Sequence, residues 1–357
     1  MHFNDLTSRI PGILDSGISI ELLSAPGRGK SEFVRQTVDR MSARDGRPWG
    51  FATMFLATMT PSDLLGYMVP SKASDGSMSS VFTRPAWMTT VDGHDVREFQ
   101  RGILFLDEFG QGEADVKRAS AELLLNRQLG PHKLPDGWSV VAASNRANDR
   151  SGVTKSFDFV INRRLQIDIT DDLPSWEDWA VKNDIEPLFI AFAVQNPHIV
   201  FADGVPDKQG PWCTPRSLVM VSKLLRSISG PGREIPVDAS AVEIASGMIG
   251  EGAAAQLFAF VRLGQEMPKF EDIVKDPAKA KVSTKPDANM LICYSLAARV
   301  DIATVDPVIE YIERLPKEFA VTFAKTAGRR NKQLVVTKAF GQWCARNASL
   351  VTILDAA

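Results

Sequence analysis

The sequence feature that most constrains the fold is the segment Ser24-Ala25-Pro26-Gly27-Arg28-Gly29-Lys30-Ser31. It lies between an apolar run, residues 18–23, and a segment with helical character, residues 32–38. A strand, a glycine-containing loop ending in Gly-Lys-Ser and a helix form the arrangement that holds the phosphates of a nucleotide. The sequence therefore predicts an α/β domain built around this loop.

Each part of the phosphate loop has a physical role in binding polyphosphate. Gly27 and Gly29 allow backbone angles that a side chain would disfavour, so that successive N–H groups can point at one anion. Lys30 adds a positive charge for the outer phosphates, and Ser31 offers a hydroxyl to Mg²⁺ at the positive end of the helix dipole. Ser24 stands where the usual pattern has glycine. The candidate nucleotide-binding residues are Ala25, Pro26, Gly27, Arg28, Gly29, Lys30 and Ser31.

A pair of acids follows another apolar run. Residues 103–106 are apolar and lead directly into Asp107 and Glu108, as expected of a buried strand that ends at the ligand-binding edge of an open sheet. Two adjacent carboxylates beside a core strand need a cation. We assign Asp107, with Ser31, to the Mg²⁺ site and Glu108 to polarising the attacking water. We expect the two side chains to point to opposite sides of an extended chain.

Five apolar runs predict a five-stranded parallel sheet. They lie at residues 18–23, 49–57, 102–106, 138–145 and 165–169. The fourth run ends in Asn145, whose amide can hold the lytic water and contact a terminal phosphate. Asn145 is therefore a third candidate for the same edge of the sheet.

The pattern changes from strands to helices near residue 171. We predict an α/β nucleotide-binding domain at residues 1–171, a helical lid domain at 172–230 and a helical C-terminal extension at 231–357. Residues 67–92 have the turn chemistry of a hairpin or surface loop. Either they are simply solvated, or they touch a substrate or a neighbouring subunit. Residues 269–286 are typical of a polar linker.

Composition excludes several classes of protein. The chain has 357 residues, of which 44% are hydrophobic and 24% charged, so it can bury two or three cores. Three distant cysteines and four histidines argue against a disulfide framework or a structural zinc site. Without a membrane-length apolar run or a signal-peptide pattern, a cytoplasmic location is expected. The net charge of −2 gives no general attraction to DNA or membranes.

Taken together, the motifs resemble an AAA+ ATPase module. The resemblance rests on the phosphate loop, Leu-Phe-Leu-Asp-Glu, Ala-Ala-Ser-Asn and Asn-Arg-Arg-Leu in that order, and it covers about residues 5–230. Leu64-Leu65-Gly66 before the hairpin-like insert, and residues 134–138 before the strand of Asn145, resemble the MoxR branch most closely. Residues 231–357 resemble no family that we can name.

The resemblance implies roles for further residues. Residues 24–31 match the Walker A loop, Asp107 and Glu108 match Walker B, and Asn145 matches the first sensor. Arg163 falls where the family has an arginine finger that serves the neighbouring subunit. Arg164 replaces an aromatic residue of that segment, so either arginine is a candidate. Residues 214–217 open a helix and resemble the second-sensor segment, which makes Arg216 the candidate contact to the outer phosphates of the nucleotide.

The leading hypothesis is an ATPase that uses Mg²⁺ and ATP, assembles into a ring, which the resemblance implies is a hexamer, and remodels a protein partner. Relatives of MoxR type commonly work with a partner that carries a von Willebrand A domain, so such a partner is expected here. One alternative is a nucleic-acid motor or loader, suggested by the basic cluster Arg329-Arg330-Asn331-Lys332. Another is a slow, ATP-gated assembly switch.

Overall fold

The computed structural model describes residues 1–146, 149, 153, 157–170, 173–202, 204–230 and 234–348. The chain divides into two compact units, Met1–Asp172 with Asp203–Val205, and Leu173–Ala202 with Pro206–Ala357. The predicted boundaries at residues 171 and 231 lie outside the described residues, and the division into three domains stays a prediction. In the part of the chain that the structure describes, no helix has the length and apolar character needed to cross a bilayer.

The first unit contains the strands. Those of the described residues are β1 Ile20–Ser24, β2 Gly50–Phe55, β3 Met68–Lys72, β4 Met78–Phe82, β5 Gly102–Asp107, β6 Gln128–Leu129, β7 His132–Lys133, β8 Trp138–Asn145 and β9 Leu165–Asp168. Five of them form a parallel sheet in the order β2-β5-β8-β1-β9. The predicted five-stranded parallel sheet is confirmed. The two other pairs, β3 with β4 and β6 with β7, are antiparallel.

Helices cover both faces of this sheet. They are α1 Phe3–Asp15, α2 Lys30–Asp45, α3 Pro61–Leu65, α4 Ala114–Asn126 and α5 Asp158–Ile161. Along β5, Ile103 and Phe105 pack with α1 and α2, whereas Leu104 and Leu106 pack with α4. Because both faces are buried, the strands are continuous apolar runs, which is the pattern that made them predictable.

The strand order sets the position of the polar residues. Since β8 lies between β5 and β1, the carboxyl ends of these three strands are neighbours. Ser24 is in register with Asn145, and Asp107 ends the adjacent strand β5. The start of the phosphate loop, Asn145 and the acid pair therefore share one edge of the sheet.

The hairpin of β3 and β4 confirms the predicted hairpin within residues 67–92. Its strands pair from Met68 with Phe82 to Lys72 with Met78. Met68 and Met78 are 62% and 68% exposed, so the hairpin has little contact with the cores.

The second unit is helical, as predicted for the C-terminal part. Its helices are α6 Leu173–Lys182, α7 Pro187–Gln195, α8 Pro197–Val200, α9 Pro215–Ser229, α10 Ala239–Ile249, α11 Glu251–Gln265, α12 Phe270–Lys275, α13 Pro286–Arg299, α14 Val305–Ile312, α15 Lys317–Arg330 and α16 Lys338–Arg346. One core takes side chains from both sides of residue 230, and a second spans residues 273–343. Helix α13 contributes Leu291 to the first and Ile292 to the second.

The predicted linker at residues 269–286 is wrong in part. It contains α12, and Ile273 of that helix is fully buried in the second core. A single apolar turn that anchors a short helix is too brief to show as a periodic pattern.

Candidate nucleotide-binding site

The phosphate loop has the backbone that its glycines predict. It joins the end of β1 to the first residue of α2, with Gly27 at φ +76° and Gly29 at φ +88°. A Cβ built on Gly29 meets no atom within 4 Å, so its backbone conformation, not space, requires glycine there. The free amides of the first turn of α2 face the loop, and an anion is stabilised at such a helix start.

Lys30 ties the loop to the neighbouring strand. Its side chain is buried, and Nζ donates to the Ser24 carbonyl at 3.1 Å and to the Ser24 hydroxyl at 3.0 Å. Nζ also donates to Asn145 Oδ1 at 3.0 Å. Ser24, the departure from the glycine pattern, thus supplies a hydroxyl to the lysine. The structure brings Lys30 and Asn145 together as predicted.

Ser31 and Asp107 meet at the same edge. Ser31 Oγ donates to Asp107 Oδ2 at 2.9 Å, and Asp107 Oδ1 accepts from the Glu108 amide at 3.0 Å. A hydroxyl beside a carboxylate is an oxygen donor set that suits Mg²⁺. The residues present therefore fit a Mg²⁺ ion, which Ser31 and Asp107 would hold.

Glu108 differs from the expectation of an extended chain. Strand β5 ends at Asp107, and Glu108 lies in the left-handed region at φ +51°, ψ +37°. Few residues other than glycine adopt this conformation, and it occurs most often at functional sites. Glu108 therefore leaves the strand direction, and the predicted alternation of the two acids does not apply.

The two adjacent arginines have different surroundings. Arg163 is half-buried, in the turn after α5, with its guanidinium 5.4 Å from the Phe159 ring centroid. Arg164 is 1% exposed at its side chain, and its Nε lies 2.7 Å from Oε2 of the equally buried Glu21. A buried ion pair of this kind cannot reach another subunit. The position of Arg164 contradicts its predicted catalytic role and leaves Arg163 as the candidate.

Glu21 and Lys117 are buried charges that the sequence analysis missed. Glu21 lies on β1 and accepts from Ser144 Oγ at 2.6 Å and from Gln166 Nε2 at 2.7 Å, besides Arg164. Burial lowers the pKa of Lys117, Arg164 lowers it further, and Glu21 and Glu113 oppose both effects. An acid within the apolar run of residues 18–23 was the available signal, because a buried acid needs a cation.

The remaining candidates have the following positions. Ala25, Pro26 and Arg28 lie in the phosphate loop between β1 and α2, with Ala25 and Arg28 buried. Arg216 is exposed in the first turn of α9, in the second unit, where Thr214 and Ser217 form a capping box. Its role in nucleotide binding stays a prediction.

Comparisons with known proteins give only distant similarities. No protein-family model matches the sequence, and no curated protein matches it. Among solved structures, two variants of RuvB from Thermotoga maritima are 11% identical to this chain, with TM-scores of 0.34 and 0.39. These alignments cover 78% and 77% of this chain and 77% and 76% of the RuvB chains.

NtrX from Brucella abortus is a third similar structure, 16% identical with a TM-score of 0.35. The alignment covers 98% of this chain and 64% of the NtrX chain. Superpositions at this level are loose. The fold class therefore follows from the strand order and loop geometry of this chain.

Proposed function

We propose that this chain is a Mg²⁺-dependent ATPase of the AAA+ type. The observation that carries the proposal is the hydrogen bond of 2.9 Å between Ser31 of the phosphate loop and Asp107 at the end of β5. It joins the two halves of a triphosphate site, although 76 positions separate them in sequence. The contact of Lys30 with Asn145 supports the same site.

The residues divide the binding of ATP between them. The backbone N–H groups of residues 27–31 and the Lys30 ammonium would hold the phosphates, and Ser31 and Asp107 would hold Mg²⁺. Mg²⁺, when bound, screens the charge of the phosphate oxygens.

Glu108 and Asn145 would act on the attacking water. The Glu108 carboxylate accepts a hydrogen bond from the water and so orients a lone pair toward phosphorus, while the Asn145 amide contacts water or phosphate. Arg163 would stabilise the charge that develops in the site of a neighbouring subunit. Since that arginine arrives from another copy, we propose a ring, with six subunits by the resemblance.

The resemblance to the MoxR branch supports a finer proposal. The ring would remodel a protein partner, and the expected partner carries a von Willebrand A domain. Pull-down of a protein with that domain by the Glu108→Gln variant with ATP, but not with ADP, would support this. Capture that is independent of nucleotide would contradict it.

The proposed mechanism is tested by mixing two inactive variants. Arg163→Ala lacks the arginine but keeps its own acids, and Glu108→Gln keeps the arginine. If the arginine acts between subunits, a mixture regains hydrolysis that neither variant has alone. The matched control is Arg118→Ala, which removes an arginine 4.9 Å from the neighbouring Phe157 ring and 3.2 Å from Asp115. It should hydrolyse ATP like the wild type.

Two results would contradict the proposal. If the wild-type chain is folded but does not bind ATP in the presence of Mg²⁺, the proposal that it is an ATPase is wrong. If the hydrolysis rate per subunit is independent of protein concentration and sedimentation shows no ring, Arg163 does not act between subunits. The proposed ATPase activity is not affected by that result. Binding and ring formation with negligible turnover, unchanged in Glu108→Gln, would favour the assembly switch.

The structure weakens the alternative of a nucleic-acid motor. Arg329 forms an ion pair with Asp178, and Arg330 forms one with Asp184. Two of the three cations at residues 329–332 therefore have their charge balanced within the chain. Stimulation of hydrolysis by DNA that fades as salt rises would restore this alternative.

A further inference from the structure

A buried ionic network lies under the carboxyl edge of the sheet. Glu21 is the second residue of β1, in register with Ala142 on one side and Gln166 on the other. Its three hydrogen-bond donors are Arg164, Ser144 and Gln166, at 2.6–2.7 Å. A buried carboxylate with its bonds satisfied in this way fixes its neighbours in one arrangement.

Two buried cations of this region contact the turn that follows Glu108. The turn is a short 3₁₀ segment, Phe109–Gln111. Arg164 lies 5.1 Å from the centroid of the fully buried Phe109 ring, and Lys117 Nζ donates to the Gly110 carbonyl at 2.6 Å. Arg164 therefore contacts the ring of Phe109, and Lys117 contacts the backbone of the next residue, Gly110.

The conformation of Glu108 needs such support. A glutamate with φ +51° is in a sparsely populated region, and it stays there only when the surrounding structure determines it. Two hydrogen bonds close the turn, from the Gln111 amide to the Glu108 carbonyl at 3.0 Å and from the Gly112 amide to the Phe109 carbonyl at 3.3 Å. Contacts of the turn with Arg164 and Lys117 add to these two bonds.

We propose that Arg164 and Lys117 are positioning residues for Glu108, which they hold in its left-handed conformation through Phe109 and Gly110. The catalytic consequence rests on the proposed ATPase, because it is the Glu108 carboxylate that would orient the attacking water. Arg164, which the sequence suggested as a residue acting in a neighbouring subunit, acts within its own subunit.

The variants must separate the effect of Arg164 on the conformation of Glu108 from its effect as the counter-charge of Glu21. Arg164→Met alone leaves Glu21 buried and uncompensated, which destabilises the fold for an unrelated reason. The paired variant Glu21→Gln with Arg164→Met removes both charges. The introduced amide oxygen accepts from one of Ser144 and Gln166, and the introduced NH₂ group can donate to the oxygen of the other. Lys117→Met tests the second contact separately. The matched control is Arg101→Met, an arginine of the same unit that is paired with Asp45 at the opposite end of the sheet.

Two measurements are made on the full chain. Amide hydrogen exchange at Gln111 and Gly112 reports on the stability of the turn. The single-turnover rate of ATP hydrolysis, measured with protein in excess over ATP, reports on the chemical step that Glu108 would assist. This rate does not depend on the fraction of the protein that is active. We expect faster exchange at both amides and a rate about tenfold lower, with unchanged ATP affinity, in the paired variant and in Lys117→Met. The control should change neither.

The outcomes decide the proposal in each case. Unchanged exchange at Gln111 and Gly112 in both variants overturns it, whatever the rate. Faster exchange with an unchanged rate also overturns it, because the turn then moves without consequence for Glu108. If the wild type does not hydrolyse ATP, the proposed function fails, and exchange alone still decides whether the two cations hold the turn.

Discussion

The two ends of the parallel sheet both carry charged side chains, but they use them differently. At the amino end, Arg44 lies 3.1 Å from Asp15 and 2.7 Å from Asp45, and Arg101 pairs with the same two acids. At the carboxyl end, Asp107 accepts its hydrogen bonds from a hydroxyl and a backbone amide, and Lys30 donates to carbonyl, hydroxyl and amide oxygens.

The difference teaches how to separate a structural charge from one that awaits a ligand. Arginine–carboxylate pairs are already balanced, so a new ion would have to break them. A carboxylate that accepts from a hydroxyl and a backbone amide keeps its charge for a cation. The buried pair of Glu21 and Arg164 lies beneath the carboxyl end but is of the balanced, structural kind.

The largest effect is expected from Asp107→Asn at the carboxyl end. The change removes the charge of the Mg²⁺ ligand, while the introduced amide can accept from the Glu108 N–H and donate to Ser31 Oγ. Hydrolysis should therefore fall by about 100-fold to 1,000-fold. Thermal stability should change little, because no arginine is left unpaired. ATP hydrolysis and thermal unfolding are measured on the same preparation, with Asp45→Asn at the amino end as the control. If Asp107→Asn hydrolyses ATP at the wild-type rate, the acid at the carboxyl end is no more important for hydrolysis than the acids at the amino end.

Removal of the metal should give the next largest effect. ATP with Mg²⁺ at 100 times its dissociation constant should stabilise the folded chain by about 2.7 kcal/mol. Chelation of Mg²⁺ should remove most of this gain, since Asp107 and the phosphates then repel each other. Thermal unfolding with ATP, with and without a chelator, measures the difference. Equal stabilisation in both conditions would mean that Ser31 and Asp107 hold no metal.

Much of the carboxyl end could be predicted because its chemistry is local in sequence. The phosphate loop, the apolar run before Asp107 and the strand before Asn145 are each continuous, and the parallel sheet then brings them together. The left-handed Glu108 could not be predicted, because its conformation depends on packing of the following turn against Arg164 and Lys117.

Pairings between distant residues were not predictable for the same reason. Glu21 and Arg164 are 143 positions apart, and nothing local says that they meet. Helix α12 was missed because Ile273 is the one buried residue of this short helix, so no periodic apolar pattern marks it in the sequence. Helix α1 was missed too, although Leu6, Ile10 and Leu14 are buried at its helical spacing.

A smaller effect is expected at the amino end from Arg101→Met. Arg101 lies 4.5 Å from the Trp49 ring centroid and pairs with Asp15 and Asp45, with a side chain 21% exposed. Its loss should lower the free energy of unfolding by about 1 kcal/mol. Urea unfolding measures this, and ATP hydrolysis per folded subunit should be unchanged. A loss of hydrolysis without a loss of stability would show that the amino end also serves the reaction.

The smallest effect concerns the pH dependence of the same cluster. Hydrogen bonds from Arg44 and then Arg101 hold the pKa of Asp15 below its usual value of 3.8. An acid whose pKa is lowered by folding stabilises the protein at pH values above its unfolded pKa, and this stabilisation is lost as the pH falls through the folded pKa. Asp15→Asn should therefore cost roughly a few tenths of a kcal/mol at neutral pH, because the pair is exposed.

The cost of Asp15→Asn should begin to shrink below about pH 4, where the carboxyl of the unfolded wild-type chain takes up a proton, and should vanish once the pH is below the lowered pKa of the folded chain. Urea unfolding of both chains between pH 7 and pH 3 follows the difference, and Asp92→Asn, which changes an exposed acid in a loop, is the control. A difference that stays constant down to pH 3 would mean that the arginines interact with Asp15 by packing and not by charge. The amino end would then differ from the carboxyl end in geometry alone, because the charge of its acids would not contribute to stability.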